Sequence, residues 1–249
     1  MRVTTDVLAE LDDLVIEGNR VRIAGQLDYA FYKKVDKVLQ AAGGKWSRKA
    51  KAHVFDSDPA DVLEQMLLTG EIATPQDMGY FPTPPLVAGK LLDLAGVELG
   101  MSALEPSAGV GAIAVRLAAA GCVVDCVEVD PARTAALRES GVVRRMLLAD
   151  FLAVQLDDFQ GELYDRVVMN PPFAKQADIA HVRHALGFVK PGGRLVSVMS
   201  SSLTFRTNRV TADFRDLIEG RDGQIIPLPD DAFKASGTGV RTVIAVIPA

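Results

Sequence analysis

From residue 84 onward, short apolar runs rich in β-branched residues alternate with amphipathic stretches of about ten residues. The runs are SALEP (102–106), VVDCVEV (123–129), MLLAD (146–150), RVVMN (166–170), RLVSVMS (194–200), QIIPL (224–228) and TVIAVI (242–247). Helical patterns occupy 84–95, 111–120, 132–140, 177–189 and 210–219. Strands that are apolar on both sides and separated by helices must be covered on both faces. This predicts a Rossmann-like α/β fold with a seven-stranded, mostly parallel sheet. About 13 residues without a clear helix join the last two runs, which predicts an antiparallel hairpin at the sheet edge.

Upstream the pattern differs, and a division near 72–80 separates a small α+β unit (1–74) from the larger domain (75–249). A short acidic helix is predicted over 5–17 and a strand over 19–25. An amphipathic helix with Phe31, Val35 and Leu39 on one side follows at 29–41. A basic β-turn-β element, GGKWSRKAKAHVF, comes next, then a helix at 59–69 capped by Ser57 or Asp58. The chain carries a net charge of −5, whereas an autonomous duplex binder is usually basic, so any nucleic-acid contact must be local. Residues 31–53 are locally basic, with seven Lys/Arg against Asp36. There Lys45, Arg48, Lys49 and Lys51 are candidates for phosphate contact, and Trp46 or His53 for stacking on a base. The competing reading makes Trp46 part of a small core and the basic turn merely solvated.

No run approaches the roughly 18 apolar residues a membrane span needs. The N-terminus has acids where a signal peptide needs basic residues, so the cytoplasm is the expected compartment and no membrane partner is expected. Cys122 and Cys126, four apart on a strand, lie about 13 Å from each other, too far for a disulfide. They read as reduced core residues. His181 and His184 share a helix face without further ligands at metal spacing, which predicts a solvated face and no metal. SSSLTFRTNR (200–209) reads as a mobile loop in which Arg206 and Arg209 are candidates for phosphate contact.

ALEPSAGVGAIA (103–114) is a strand, a turn of small residues and a helix start. Gly109 and Gly111 allow a tight turn and close approach of backbone to a ligand. The helix start directs free N–H groups at that ligand. Glu128, 19 residues past Gly109, ends the second strand, where its carboxylate can accept from two ribose hydroxyls. Asp150 ends the third strand and can accept from an exocyclic amine, with the ring of Phe151 beside it. These features suit NAD or S-adenosylmethionine equally.

The fourth strand separates the two. VVMNPPF (167–173) ends a β-branched strand with an amide and then removes two backbone donors in a row. Asn170 at the strand's carboxyl end offers a side-chain oxygen to one hydrogen of a planar NH2 group. The carbonyl of Pro171 can take the other. Pro171 and Pro172 fix φ and withhold donors, so the loop offers acceptors only. Phe173 supplies a face for stacking. Such a site works by positioning and by electrostatic match to a developing cationic nitrogen. A dehydrogenase needs no acceptor pair there.

MNPPF resembles the (D/N/S)PP(Y/F) motif of the class I S-adenosylmethionine-dependent amino-methyltransferases, chiefly the N6-adenine DNA methyltransferases. Other pieces stand in the family's order over 79–249. GYFPTPP is similar to the element that helps hold the cofactor's methionine end, which implies Phe81, Thr83 and Pro84. EPSAGVG resembles the cofactor loop, which implies Glu105, Ser107, Gly109 and Gly111. VEVD implies Glu128 as the ribose acid, and ADF implies Asp150 and Phe151 at the adenine. AFKASGTGVRT (232–242) resembles the element that packs on a flipped base, which implies Phe233. The resemblance implies S-adenosylmethionine as cofactor and DNA as partner, with RNA second. Related sites methylate guanine N2 or adenine N6 in RNA, or a protein glutamine, and a binding module with a vestigial cofactor pocket is the reading from another class. Many of the DNA enzymes carry a large target-recognition domain after the catalytic one; the remaining strands and helices are expected to consume the 76 residues after Phe173, so reading of the DNA sequence is expected from the N-terminal unit or a partner, or specificity is low.

Overall fold

The computed structural model describes residues 3–55, 58–71, 81–236 and 239–249. The expected division near 72–80, and Ser57 as a helix cap, lie outside the described residues. No helix among the described residues is long and apolar enough to cross a membrane.

The larger sheet has seven strands: β5 (Ser102–Glu105), β6 (Val123–Glu128), β7 (Arg145–Leu148), β8 (Tyr164–Met169), β9 (Val189–Ser200), β10 (Gln224–Pro227) and β11 (Thr242–Pro248). Their order is β10-β11-β9-β8-β5-β6-β7, and β11 alone runs against its neighbours. This is the predicted sheet with its antiparallel edge. Successive residues of β8 and β9 face opposite cores. Val168, Val196 and Val198 pack with α4 (Pro85–Ala95) and α5 (Ala114–Ala119). Val167, Met169, Leu195 and Met199 pack with α7 (Ala177–Ala185) and α8 (Arg209–Glu219). Burial on both faces is why these strands read as nearly unbroken apolar runs. Cys122 and Cys126 are buried free thiols in this core.

Two helices of the larger domain differ from expectation. Gly111 has φ 83°, a left-handed conformation that a right-handed helix cannot begin with, so α5 starts at Ala114 rather than 111. The helix predicted over 177–189 closes at Ala185 because Val189 already pairs with Tyr164 as strand.

The N-terminal residues form α1 (Thr5–Asp12), β1 (Val15–Glu17), β2 (Arg20–Arg22), α2 (Tyr29–Ala41), β3 (Lys45–Ser47), β4 (Ala52–Val54) and α3 (Ala60–Thr69). The strands make an antiparallel sheet, β1-β2-β4-β3. The predicted helix over 5–17 stops at Asp12, because Val15–Glu17 turns at Gly18 (φ 59°) and pairs with β2. Asp28 caps α2 by accepting from Ala30 and Phe31 N–H, and Asp58 accepts from Ala60 N–H. Val7, Leu8, Leu11, Val35, Leu39, Leu63 and Met66 fill this unit's own core.

Candidate active site

Strand order reverses between β5 and β8, the switch point where an open α/β sheet leaves a crevice beyond its carboxyl ends. The loops after β5 and β8, carrying EPSAGVG and NPPF, are therefore brought side by side. A cavity of about 420 Å³ opens there, within the range of small-ligand sites. Pro106 and Ser107 line it from the first loop, Glu128 and Arg133 from the second, and Asp150 and Phe151 from the third. Asn170, Pro171, Pro172 and Phe173 line it from the fourth.

Asn170 is oriented from behind. Its Nδ2 donates to Thr83 Oγ1 at 3.1 Å and to the Phe81 carbonyl at 3.3 Å. Its Oδ1 is buried and accepts from nothing. Phe173 is buried against the core while still forming part of the cavity wall. Glu128 is buried as well. Its Oε2 accepts from Gly109 N–H at 2.7 Å, and its Oε1 accepts from Asp130 N–H at 2.9 Å and from Arg133 Nη2 at 2.9 Å and Nε at 3.1 Å. Asp150 spends one oxygen on the Leu152 N–H.

Residues 90–219 match the profile of the methyltransferase small domain, which is more than half of the chain. The chain belongs to the methyltransferase small domain family. Solved structures agree on the fold. A protein described as a class I S-adenosylmethionine-dependent methyltransferase from Listeria monocytogenes superposes with a TM-score of 0.52 at 19% identity, over 67% of this chain and 60% of that one. A protein described as the modification subunit of a type I restriction enzyme from Vibrio vulnificus gives 0.55 at 18%, over 88% and 53%. TrmN from Thermus thermophilus gives 0.50 at 21%, over 90% and 69%. The chain thus spans 60% and 53% of the first two proteins' lengths. No curated protein sequence matches it.

The cofactor of this family's class I fold is S-adenosylmethionine, and the cavity residues fit it. A buried acid sits beside a glycine turn, an exposed acid beside a buried ring, and a residue with an unpaired buried acceptor, Asn170, lines the same cavity. One detail differs from the sequence reading. Arg133, which sequence reasoning missed, already occupies Glu128 Oε1, so Oε2 is the freer oxygen for a ribose hydroxyl. The signal was in the sequence: Arg133 lies five past Glu128, one turn into α6 (Pro131–Glu139).

Other expected site residues are placed differently. Glu105 is buried, and its carboxyl accepts from Ala114 N–H without lining the cavity. Burial raises its pKa well above the usual range. Thr83 stands behind Asn170, and Pro84 opens α4. Phe233 is 1% exposed and packed into the core, so the structure does not bring its ring to the cavity; Val240 from the same loop does line it. Gly237 and Thr238 of that loop lie outside the described residues. His181 and His184 are not on a solvated face. Both rings pack on Phe151, and burial lowers the pKa of His181. Among the described residues no cluster suited to a metal occurs.

His53 is 1% exposed and hydrogen-bonded to Asp36 Oδ1 at 2.7 Å, so it cannot stack on a base. Trp46, by contrast, is 47% exposed rather than core, beside exposed Lys45, Arg48, Lys49 and Lys51. The expected mobile loop 200–209 is pinned instead. Arg215 donates to the Leu203 and Arg206 carbonyls, and Arg206 is buried where a phosphate cannot reach it. Arg209 stays exposed and pairs with Asp213.

Proposed function

We propose that the protein transfers a methyl group from S-adenosylmethionine to the exocyclic N6 amine of adenine in DNA. The observation that carries this reading is the unpaired, buried Oδ1 of Asn170, with its amide orientation fixed by Thr83 and Phe81. An unsatisfied buried acceptor costs about 1–3 kcal/mol, and a donor NH2 in the cavity removes that cost. Asn170 Oδ1 and the Pro171 carbonyl hold the two amine hydrogens, turning the nitrogen lone pair out of the ring plane. Phe173 supports the ring of the base. Bound S-adenosylmethionine supplies an electrophilic sulfonium methyl group. Ser107, Gly109, Gly111, Glu128, Asp150 and Phe151 hold the cofactor, and the site needs no strong base.

The resemblance of GYFPTPP to the DNA enzymes favours adenine in DNA over the other planar NH2 groups. Residues 1–74 supply the nucleic-acid contact. Trp46 offers a stacking face, and Lys45, Arg48, Lys49 and Lys51 offer phosphate contacts, exposed together on one hairpin of a protein of net charge −5. Incubation with labelled S-adenosylmethionine and DNA, RNA or protein, followed by digestion, tests the substrate. Label is expected in N6-methyladenine from DNA. Label confined to guanosine or glutamine overturns the substrate, and no saturable cofactor binding points to a binding module with a relic pocket.

A further inference from the structure

Helix α3 presents two faces. Leu63, Met66 and Leu67 pack into the N-terminal core. Gln65 and Leu68, three apart and so neighbours on the helix surface, line the cavity together with Asn170, Pro171 and Phe173. Leu68 joins the core of the larger domain as an apolar wall. Gln65 is different: it is only 4% exposed, and its Oε1 is buried with no hydrogen-bond partner. Packing does not require a polar group there, since methionine fills nearly the same volume. A buried amide left unpaired is uncommon and calls for a ligand that completes it.

The helix is fixed to the motif loop. Glu64, one residue earlier, accepts from Lys175 N–H at 3.0 Å just beyond NPPF, and from Arg206 Nη2 at 2.7 Å. The Leu68 carbonyl accepts from Arg241 N–H at 3.2 Å. Helix α3 therefore keeps a set position relative to the NPPF loop.

We propose that Gln65 is a specificity residue, donating a hydrogen bond from Nε2 to a ring nitrogen of the target base while Asn170 and Pro171 hold its amine. This assignment rests on the reading of the cavity as an adenine N6 site. With both amine hydrogens held, the remaining polar atoms of adenine's readable edges are the acceptors N1 and N7, and only a donor can read them. The motif's two prolines carry no N–H, which leaves the donor to other groups that line the cavity, and Gln65 is one of them. Because Oε1 has no partner, turning the amide to present Nε2 costs that oxygen no hydrogen bond. A guanine would place a donor, N1–H, beside its amine and would require Oε1 instead. The base is thus read by a helix outside the methyltransferase sheet.

The test uses the full chain as wild type, Gln65→Met and Gln65→Glu. The substrates are DNA duplexes carrying adenine, 1-deazaadenine or 7-deazaadenine. Gln65→Met is expected to lose roughly tenfold in kcat/KM on adenine, the scale of one hydrogen bond. Gln65→Glu, which only accepts, loses at least as much, while S-adenosylhomocysteine affinity is unchanged. One deaza base costs the wild type a similar factor and costs Gln65→Met nothing further. Gln65→Met also raises the Tm of the free protein, because an unpaired amide has been replaced by an apolar group. N6-methyladenine formed equally well by wild type and Gln65→Met overturns the assignment alone, as does a lowered Tm with lost S-adenosylhomocysteine binding. Label found only in guanine overturns the adenine reading and the donor role with it.

Discussion

Asn170 has two chemically different ends, and they perform different tasks. The Nδ2 end is spent on Thr83 and Phe81, which leaves the Oδ1 end buried and unpaired. Asn170→Ala is therefore expected to cut kcat by about 10²–10³, the scale of losing one preorganised polar group at a reacting centre, with cofactor affinity kept. Thr83→Val tests the orienting bond separately. It removes one acceptor behind the amide without touching the cavity, so kcat falls by roughly tenfold while KM for the cofactor stays constant. A fall in cofactor affinity alone would instead place Thr83 at the cofactor's methionine end, the role its sequence context implies. Sequence supplied the identity of both residues, since NPPF and FPTP are local strings. Their mutual contact, 87 residues apart, is a product of the fold.

The turn after β5 works through conformation rather than through side chains. Gly111 has φ +83°, and a Cβ there would meet Leu137 Cδ1 at 2.5 Å. Gly111→Ala should destabilise the fold by about 1–3 kcal/mol and weaken cofactor binding, because the loop that delivers Gly109 N–H to Glu128 must shift. Thermal melts with and without S-adenosylhomocysteine read both effects; an unchanged ligand-induced shift in Tm would dissociate the turn from the cofactor. Elements whose periodicity lies within one segment were legible in the sequence: all seven strands of the large sheet and the span of α2. What was not legible depended on partners far along the chain. Val15–Glu17 reads as a helix end until β2 is there to pair with it. His181 and His184 read as exposed until Phe151 packs against them. Gln65 reads as a polar residue on an ordinary helix face, because periodicity separates apolar from polar but says nothing about which polar face another domain will cover. Trp46 went the other way, since an aromatic residue in a short strand normally finds a core, but β3 is an edge strand, and Trp46 packs there on one side only, edge-on to His53, its partner across β4.

The N-terminal unit and the sheet domain are joined by buried charge. Arg206 is 3% exposed. Its Nη2 meets Glu64 at 2.7 Å, and its Nε lies 2.7 Å from Asp12 as an ion pair whose angle is outside hydrogen-bond geometry. Arg206→Met strands two acids and is expected to destabilise by about 3–5 kcal/mol. It should also lower methyl transfer, because Glu64 and Gln65 share α3. A variant with wild-type Tm would mean that this cluster does not hold the units together. The same charges reach Asp178, whose carboxylate accepts from Ile179 and Ser200 N–H at the foot of α7. Burial drives its pKa from 3.8 up to about 7; the two N–H donors and Arg206 oppose the shift, and Glu64 adds to it. Between about pH 4 and 7 the folded protein therefore holds a proton that the unfolded chain releases, so this group's contribution to stability falls as pH rises through that window and is level above it. Asp165 behaves oppositely. Ser102 and Lys190 hold its pKa down at about 2, so it stabilises above pH 4 and that contribution fades as pH drops toward 2. Asp178→Asn copies the protonated form and should flatten the decline in Tm between pH 4.5 and 7 while leaving the acid limb below pH 4 intact. Parallel Tm curves for the two proteins across the upper window would show that Asp178 is ionised throughout, and that Arg206 neutralises it more completely than its burial opposes.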